Sequence, residues 1–390
     1  MTRAPEALIV GAGVVGASVA FHLAERGMET LVLDRDGPAA GSTARSGALI
    51  RAHYPTALET SLAWESLTEY FEPWGERIGG GCGFTRTGFA YLAGEENEDA
   101  LRHNVAMQQK TGVETSLITP DDLSEIDPAL RTDGVTLAAH EPCGGYADPT
   151  ATAVGFLRAG EDLGARFERR RVRGIMESGG EVRGVYTDDG IMEARTVVLA
   201  AGAWSVPIAG SVGLELPIRP ARVRVALFER PYSLPTHLTL IDTVEGFYAR
   251  PAAERATLVG SRSSLEWLDG PDELDAVSDT AFIEAASRMV GWRIPDLEGA
   301  PYRSGRSGVL DVTPDGRPIL GPEGPDGLFL AAGWSGTGFK KAPAIGAEVA
   351  RWVVDGAPER PELQNYDLRR FEEGRFIRGD YEHGGNSTPH

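Results

Sequence analysis

The first pattern that could do chemistry is a glycine-rich turn near the start of the chain. It has the form G-x-G-x-x-G and directly follows the apolar run 7–10, and its members are Gly11, Gly13, Val14, Val15 and Gly16. Such a turn lets a pyrophosphate approach backbone amides at the positive end of a helix. Asp34 lies 18 residues beyond Gly16, beside Arg35, where a carboxylate can accept hydrogen bonds from ribose hydroxyls. The motif predicts a dinucleotide site and leaves NAD and FAD both open.

A second glycine-rich block lies near the other end of the chain. It covers residues 333–341 and ends in Lys340 and Lys341, two of the three lysines in the sequence. Nearly all other basic residues are arginines, so a lysine kept inside such a motif is a candidate for chemistry. Glycines at this spacing also let a backbone lie close to a flat ring.

The composition argues against several classes of function. Over 390 residues the formal charge is −19, which repels phosphate backbones and anionic lipids, so we expect no nucleic-acid partner. The apolar stretch 7–23 is interrupted by glycines, and no other stretch approaches the length of a membrane span, so we predict no membrane insertion. With only two cysteines, a reduced protein in the cytoplasm is expected. Cys82 and Cys143 match neither a zinc-ligand spacing nor a redox pair, and we predict no metal site.

Hydrophobic periodicity predicts an α/β protein. The segment 7–34 is predicted as strand, helix and strand, which is the opening unit of a Rossmann-type domain. Further strands are predicted at 84–92, 168–175, 182–187, 196–200 and 328–332. Helices are predicted at 59–71, 97–111, 276–290 and 342–354, with others opening at Thr119 and Asp148. The β-rich segment 216–260 indicates a second domain, and the polar ending 379–390 is predicted to be disordered.

Five further sequence blocks stand in a characteristic order. They are GSTARSG at 41–47, GGYADP at 144–149, AAGAW at 200–204, GVLDVTPDG at 308–316 and AAGWSGTGFK at 331–340. Together they resemble the D-amino-acid oxidase/sarcosine oxidase family of flavoproteins, which includes glycine oxidase, dimethylglycine enzymes and the β-subunit of archaeal L-proline dehydrogenase. The likeness covers nearly the whole chain, and the last two blocks are its most specific part.

The resemblance implies a fold of two interleaved domains. The first is a Rossmann-type, glutathione-reductase-like FAD-binding domain, expected to consist of residues 1–83, 145–214 and 303–390. The second is an α+β substrate domain with a mostly antiparallel sheet, expected to consist of residues 84–144 and 215–302.

The resemblance also implies FAD and the segments that hold it. In the family, residues like Ser42, Thr43, Arg45 and Ser46 pass near the pyrophosphate and the flavin, and the main chain near Val172 contacts adenine. The turn after a buried strand supplies Ala201, Gly202 and Trp204, and the isoalloxazine ring lies against Gly333, Gly336, Thr337, Gly338, Phe339 and Lys340. Relatives that bind flavin covalently do so at positions occupied here by Gly308 and Arg45, so we expect non-covalent FAD.

For the substrate, the resemblance implies a carboxylate clamp made by Arg51 and Lys340. Tyr248 falls where the family places an active-site tyrosine, although an aromatic residue on a strand is as often part of a core. His53 could tune deprotonation of an amine, and a structural histidine is the alternative. Lys341 is expected to be the exposed neighbour of Lys340.

The expected reaction is hydride transfer to FAD from a small secondary or tertiary amino acid of the sarcosine, dimethylglycine or proline type, followed by hydrolysis of the imine. A glycine or D-amino-acid oxidase is the close alternative, and an FAD-bearing subunit of a hetero-oligomeric dehydrogenase is another. Sarcosine oxidases activate oxygen with a lysine on a strand that corresponds to residues 257–260, and no lysine occurs there. The electron acceptor therefore stays open between oxygen and an electron-transfer partner. The oligomeric state also stays open, and either a homo- or a hetero-oligomer is possible.

Overall fold

A sheet of mostly parallel strands forms the centre of the nucleotide-binding half. The computed structural model describes residues 4–261, 265–273 and 279–382, and within them this sheet has six strands. In spatial order they are Ile319–Pro322, Leu328–Ala332, Thr196–Leu199, Ala7–Val10, Thr30–Asp34 and Arg166–Arg169. Only the edge strand Ile319–Pro322 runs antiparallel to its neighbour in this described sheet.

The central strand Ala7–Val10 is buried on both faces, which explains its continuous apolar sequence. Ala7 and Ile9 face the helices Val14–Glu25 and Gly338–Asp355, whereas Leu8 and Val10 face a small three-stranded sheet. The two helices cross closely at Gly346, where a Cβ would lie only 2.1 Å from Ser18 Oγ. The carboxyl end of the strand and the start of Val14–Glu25 are thus fixed together.

A larger, mostly antiparallel sheet carries the other half. Its path is Glu266–Trp267, Arg219–Glu229, Ala256–Ser261, Phe247–Ala252, Thr239–Asp242, Phe89–Ala93, Leu137–Glu141 and Ser116–Ile118, with Tyr302–Val312 paired to Arg219–Glu229. One face packs on the helix Thr280–Arg293 through Phe247 and Phe228. Because side chains alternate along a strand, Tyr248 lies on the opposite face, where Tyr91 and Ile241 also lie.

Two small sheets and the helices complete the described chain. One sheet is formed by Val172–Ser178, Glu181–Thr187 and Gly190–Glu193, the other by Leu49–Ile50, Gly145–Tyr146 and Thr85–Arg86. The α-helices are Val14–Glu25, Ala57–Ser66, Trp74–Arg77, Glu98–Lys110, Pro120–Ile126, Pro149–Asp162, Ser205–Gly210, Thr280–Arg293, Gly338–Asp355 and Arg369–Glu372. Thr119 and Asp148 cap the helices that follow them, as the sequence predicts.

Several element boundaries differ from the predictions. The segment 168–175 divides into strands of two different sheets, and the segment 84–92 divides in the same way. The last long helix begins at Gly338, four residues before the predicted start, and Pro343 lies inside it. The helix predicted from 276 begins at Thr280, and residues 274–278 lie outside the described residues. The predicted disorder at 383–390 also lies outside them.

The predicted division into domains stays a prediction. The second sheet continues through the strand Tyr302–Val312, beyond the predicted boundary at residue 302. The end of that strand forms the first part of the block 308–316, and most of this block lines the cavity between the two halves.

Candidate active site

A cavity of about 1010 Å³ runs between the two halves. It reaches the upper end of the size range of ligand pockets, about 300–1,000 Å³. Most of the residues predicted to form the site line its wall: Gly11, Gly13, Val14, Val15, Asp34, Arg35, Ser42, Thr43, Arg45, Ser46, Arg51, His53, Val172, Ala201, Gly202, Trp204, Tyr248, Gly308, Gly336, Thr337, Gly338, Phe339 and Lys340. The structure therefore brings both glycine-rich motifs to one cavity.

Two predicted residues, Gly16 and Gly333, lie behind the wall. A Cβ at Gly16 would lie 2.0 Å from the carbonyl oxygen of Gly11, so this glycine lets the helix approach the turn. Gly333 has φ +80 and donates its N–H to Asp311 Oδ2 at 2.8 Å. Both glycines shape the backbone of the cavity without facing it.

One end of the cavity has the chemistry of a nucleotide site. Asp34 is held by backbone amides, since Oδ2 accepts from Ala12 N at 2.9 Å and Oδ1 accepts from Asp36 N at 2.9 Å. A carboxylate has about four lone-pair sites, so it can still accept from ribose hydroxyls. The helix Val14–Glu25 has no acidic residue in its first turn, which leaves its positive end available to phosphates.

Asp272 closes this same end from the other half of the molecule. Its Oδ1 accepts from Trp204 Nε1 at 2.8 Å and lies 2.8 Å from Arg35 Nη1. The Arg35 guanidinium in turn stacks over the Trp204 ring at 4.6 Å. Sequence reasoning missed Asp272, because no motif surrounds it.

Close backbone approaches surround the middle of the cavity. Ser42 Oγ donates to the carbonyl of Val309, and a Cβ at Gly308 would lie 2.9 Å from Arg45 Cβ. Burial raises the pKa of Asp311 to about 6, while the N–H groups of Trp334 and Gly333 oppose that shift. This acid holds the turn of the second glycine motif.

At the far end of the cavity three cations lie around the Tyr54 ring; Arg51 and Lys340 line the cavity, and Lys341 lies behind its wall. The Arg51 guanidinium carbon lies 4.6 Å from the Tyr54 ring centroid, and Lys340 Nζ lies 5.9 Å from the same centroid. The Arg51 Nη1 donates to the carbonyl of His53, which fixes the guanidinium in place. Burial raises the pKa of Tyr54, so its phenol stays neutral among these cations. Tyr54 was missed, and its place beside Arg51 was the available signal.

Tyr248 and His53 also face this end. Tyr248 lies opposite Gly260 on the neighbouring strand, and a Cβ at Gly260 would lie 2.1 Å from Tyr248 Cζ. A Cβ at Gly47 would lie 2.7 Å from Tyr248 Cε2, so the ring is held between two glycines. His53 is almost completely buried and its ring lies 4.5 Å from the Tyr91 ring.

The prediction that Lys341 is exposed is wrong. Its side chain is 2% exposed, and Nζ lies 2.7 Å from Glu59 Oε1, while Arg317 Nε lies 2.7 Å from Glu59 Oε2. Burial would raise the pKa of Glu59, but the charges of Lys341 and Arg317 lower it to about 2. Adjacent helix residues point about 100° apart, so one lysine faces the cavity and the other faces this buried ion group.

Glu141 is a second buried acid that sequence reasoning missed. It ends the strand Leu137–Glu141 and is 0% exposed. Its Oε2 accepts from Ala52 N at 2.8 Å, directly beside Arg51. Burial raises the pKa of Glu141 to about 7, although the Ala52 N–H and the Arg51 charge oppose this shift.

The described ranges also bear on a membrane span, a metal site and the two cysteines. Within them, no helix has the length and apolar character needed to cross a membrane. No group of three or more His, Cys, Asp or Glu residues in the same ranges could hold a metal ion. Cys82 and Cys143 are buried free thiols.

The sheets and the cavity define a dinucleotide-binding protein, and comparison with known proteins gives its family. The model of the FAD dependent oxidoreductase family matches residues 6–352, so the chain belongs to that family and FAD is its cofactor. The cavity fits this group: the Gly11 turn, Asp34 and the helix end suit the diphosphate and the ribose, and the glycines near Lys340 suit a flat ring.

Individual relatives agree in length and fold to different extents. The chain is 29% identical to 4-methylaminobutanoate oxidase (formaldehyde-forming) of Paenarthrobacter nicotinovorans, covering 93% of this chain and 45% of that protein. It is 28% identical to glycine oxidase of Geobacillus kaustophilus, covering 97% and 98%. A crystal structure of L-proline dehydrogenase from P. horikoshii has a TM-score of 0.89 and 28% identity, covering 96% and 99%. The chain thus spans about half of the first relative and nearly all of the other two.

Proposed function

We propose that this protein oxidises the C–N bond of a small secondary or tertiary amino acid, of the sarcosine, dimethylglycine or proline type. The observation that carries the proposal is the pair Arg51 and Lys340, placed around Tyr54 at one end of the cavity that fits FAD. Two of the relatives described above are named for a methylamino acid and for L-proline, which supports the substrate class.

Arg51 and Lys340 would bind the substrate carboxylate. An arginine presents a planar fork and a lysine a point charge, and charge-assisted hydrogen bonds each contribute about 1.5–3 kcal/mol. Lys340 is buried and Arg51 is only partly exposed, which limits competition from water for the substrate carboxylate. Because the carboxylate is fixed, the amine and the adjacent C–H bond are oriented toward the glycine-rich turn at 336–338.

When bound, FAD supplies the acceptor for the hydride of the substrate C–H bond. Tyr248, held between Gly47 and Gly260, would bound the substrate on the side of the second sheet. His53 is proposed to tune amine deprotonation from beside Arg51, and the imine product is hydrolysed by water. Positioning supplies most of the rate enhancement, since no side-chain nucleophile is required.

The flavin is proposed to bind without a covalent link. The two positions that carry the link in some relatives are Gly308 and Arg45, and they lie against one another in the cavity wall. Neither of these two residues is a cysteine or a histidine, so neither can form the covalent link.

A glycine oxidase activity is the second candidate, because the similarity to the Geobacillus enzyme extends over both whole chains. A panel of amines scored anaerobically by bleaching of the flavin absorbance separates the two candidates. Bleaching by sarcosine, dimethylglycine or proline supports the proposal, and bleaching by glycine alone replaces it. Repeating the panel with oxygen identifies the acceptor, since bleaching without oxygen consumption requires an electron-transfer partner.

The clamp is tested by Arg51→Ala, with Arg86→Ala as an exposed control that pairs with Glu72 outside the cavity. The loss of one charge-assisted contact should raise the KM for amino acids roughly 10- to 100-fold, at about 1.4 kcal/mol per factor of ten. Arg86→Ala should leave the KM unchanged. An unchanged KM in Arg51→Ala would remove the clamp from the proposed function.

A further inference from the structure

Glu141 lies beside the segment that carries Arg51 of the proposed clamp. Only one of its two carboxylate oxygens has a hydrogen-bond partner among the described residues. Its Oε2 accepts the Ala52 N–H, whereas its Oε1 is buried and has no hydrogen-bond partner among the described residues. The strand that holds it pairs Glu141 with Phe89, an apolar neighbour. A buried carboxylate in this state gains little from solvent and depends on nearby positive charge.

The nearby positive charge is Arg51, the residue before Ala52. The Nη1 of Arg51 donates a hydrogen bond to the carbonyl of His53. The Nε of Arg51 is buried and has no hydrogen-bond partner in the part of the chain that the structure describes. The charge of Arg51 favours the ionised form of Glu141. Glu141 therefore binds the backbone of the segment that carries Arg51, and among the described residues each of the two side chains has one buried polar atom without a hydrogen-bond partner.

A substrate carboxylate at Arg51 would draw on the same positive charge and would bring a second negative charge close to Glu141. Arg51 is the cation whose charge favours the ionised form of Glu141, so a second carboxylate beside Arg51 in a poorly solvated site makes it costly for Glu141 to remain ionised, even with Lys340 also holding the ligand. We propose that Glu141 is a positioning residue that takes up one proton from solvent when a carboxylate binds at Arg51. This inference rests on the clamp of the proposed function and extends it to the coupling of proton uptake with binding.

The surrounding groups leave Glu141 as the group that changes charge near neutral pH. Burial raises the pKa of Tyr54 on the same segment and of Cys143 beyond the strand, so both stay neutral. Burial lowers the pKa of His140, the preceding residue, which keeps that imidazole neutral as well. His53 lies beside Arg51 with its ring against Tyr91, and a Glu141 variant separates its contribution.

The experiment uses the FAD-loaded protein and acetate, which is ionised throughout the range tested. The dissociation constant of acetate is measured from the perturbed flavin spectrum between about pH 6 and pH 8, and calorimetry in two buffers of different ionisation enthalpy counts protons taken up. In the unmodified protein the Kd should rise roughly tenfold over this range, with close to one proton taken up per acetate at the upper end. In Glu141→Gln the Kd should be nearly constant and the uptake close to zero.

The same pH dependence and uptake in Glu141→Gln would overturn the inference and leave the clamp standing. Failure of acetate to bind the unmodified protein at any pH would overturn both. If Glu141→Gln does not fold, the unmodified protein still decides the matter, since acetate binding without proton uptake contradicts the proposal.

Discussion

The two ends of the cavity are built in different ways. At the nucleotide end, Asp34 and the Gly11 turn present backbone amides and one carboxylate, all within a continuous strand–turn–helix–strand segment. At the substrate end, side chains converge from distant parts of the chain, among them Arg51, Tyr248 and Lys340. The first end depends on local backbone geometry and the second on the packing of buried charges. Substitutions at the two ends should therefore fail in different ways.

The largest effect on cofactor binding is expected at the nucleotide end from Gly16→Ala. Its Cβ would lie 2.0 Å from the Gly11 carbonyl oxygen, so either the helix or the turn must move. Such strain costs about 1–3 kcal/mol or more, and we expect FAD affinity to fall by roughly 100-fold, measured by fluorescence titration of the apoprotein. Gly210→Ala is the matched control, because a Cβ there meets nothing within 4 Å. Wild-type FAD affinity in Gly16→Ala would show that close helix packing is unnecessary.

The adjacent lysines provide a sharper test at the substrate end. Lys341→Met removes one partner of the buried Glu59 carboxylate, and we expect a loss on the order of 3 kcal/mol in the free energy of unfolding, measured by denaturant titration. Lys340→Met should keep that stability and weaken carboxylate binding by about tenfold, because its ammonium faces the cavity. The reverse pattern would mean that the two roles are exchanged.

The smallest effect is expected where the second half of the molecule closes the nucleotide end. Asp272→Ala removes the contacts to Trp204 and Arg35 at a partly exposed position. FAD affinity should fall about fivefold, or roughly 1 kcal/mol, with unchanged substrate affinity at saturating FAD. Asp269→Ala, an exposed neighbour, is the control.

Acid-denatured protein should release its FAD in every case, and a flavin retained on the precipitate would contradict non-covalent binding.

The glycine turn and Asp34 at the nucleotide end could be predicted from the sequence because they act through near neighbours in the chain, whereas Asp272 at the same end could not. The turn at Gly11, the strands around it and Asp34 all lie within one short segment. The substrate end could be predicted only through resemblance, and only for Arg51, Lys340, Tyr248 and His53. Their placement in one cavity wall agrees with that prediction, while their roles stay proposals.

Other features could not be predicted because they depend on long-range packing. The partner of Glu141 is the amide of Ala52, 89 residues away, and no pattern connects the two. Lys341 was misassigned because the predicted helix began at residue 342, which left the two lysines in a turn rather than on different sides of one helix. The strand Tyr302–Val312 extends the second sheet past the predicted boundary because pairing with Arg219–Glu229 sets its length.

The glycine opposite Tyr248 limits which side chains this point of the second sheet can hold. Any side chain at position 260 would have to occupy the space of the Tyr248 ring. A cation could therefore enter this point of the strand Ala256–Ser261 only if the tyrosine were lost or turned away. A side chain introduced at position 260 would thus alter the wall proposed to bound the substrate, through a single cross-strand pair.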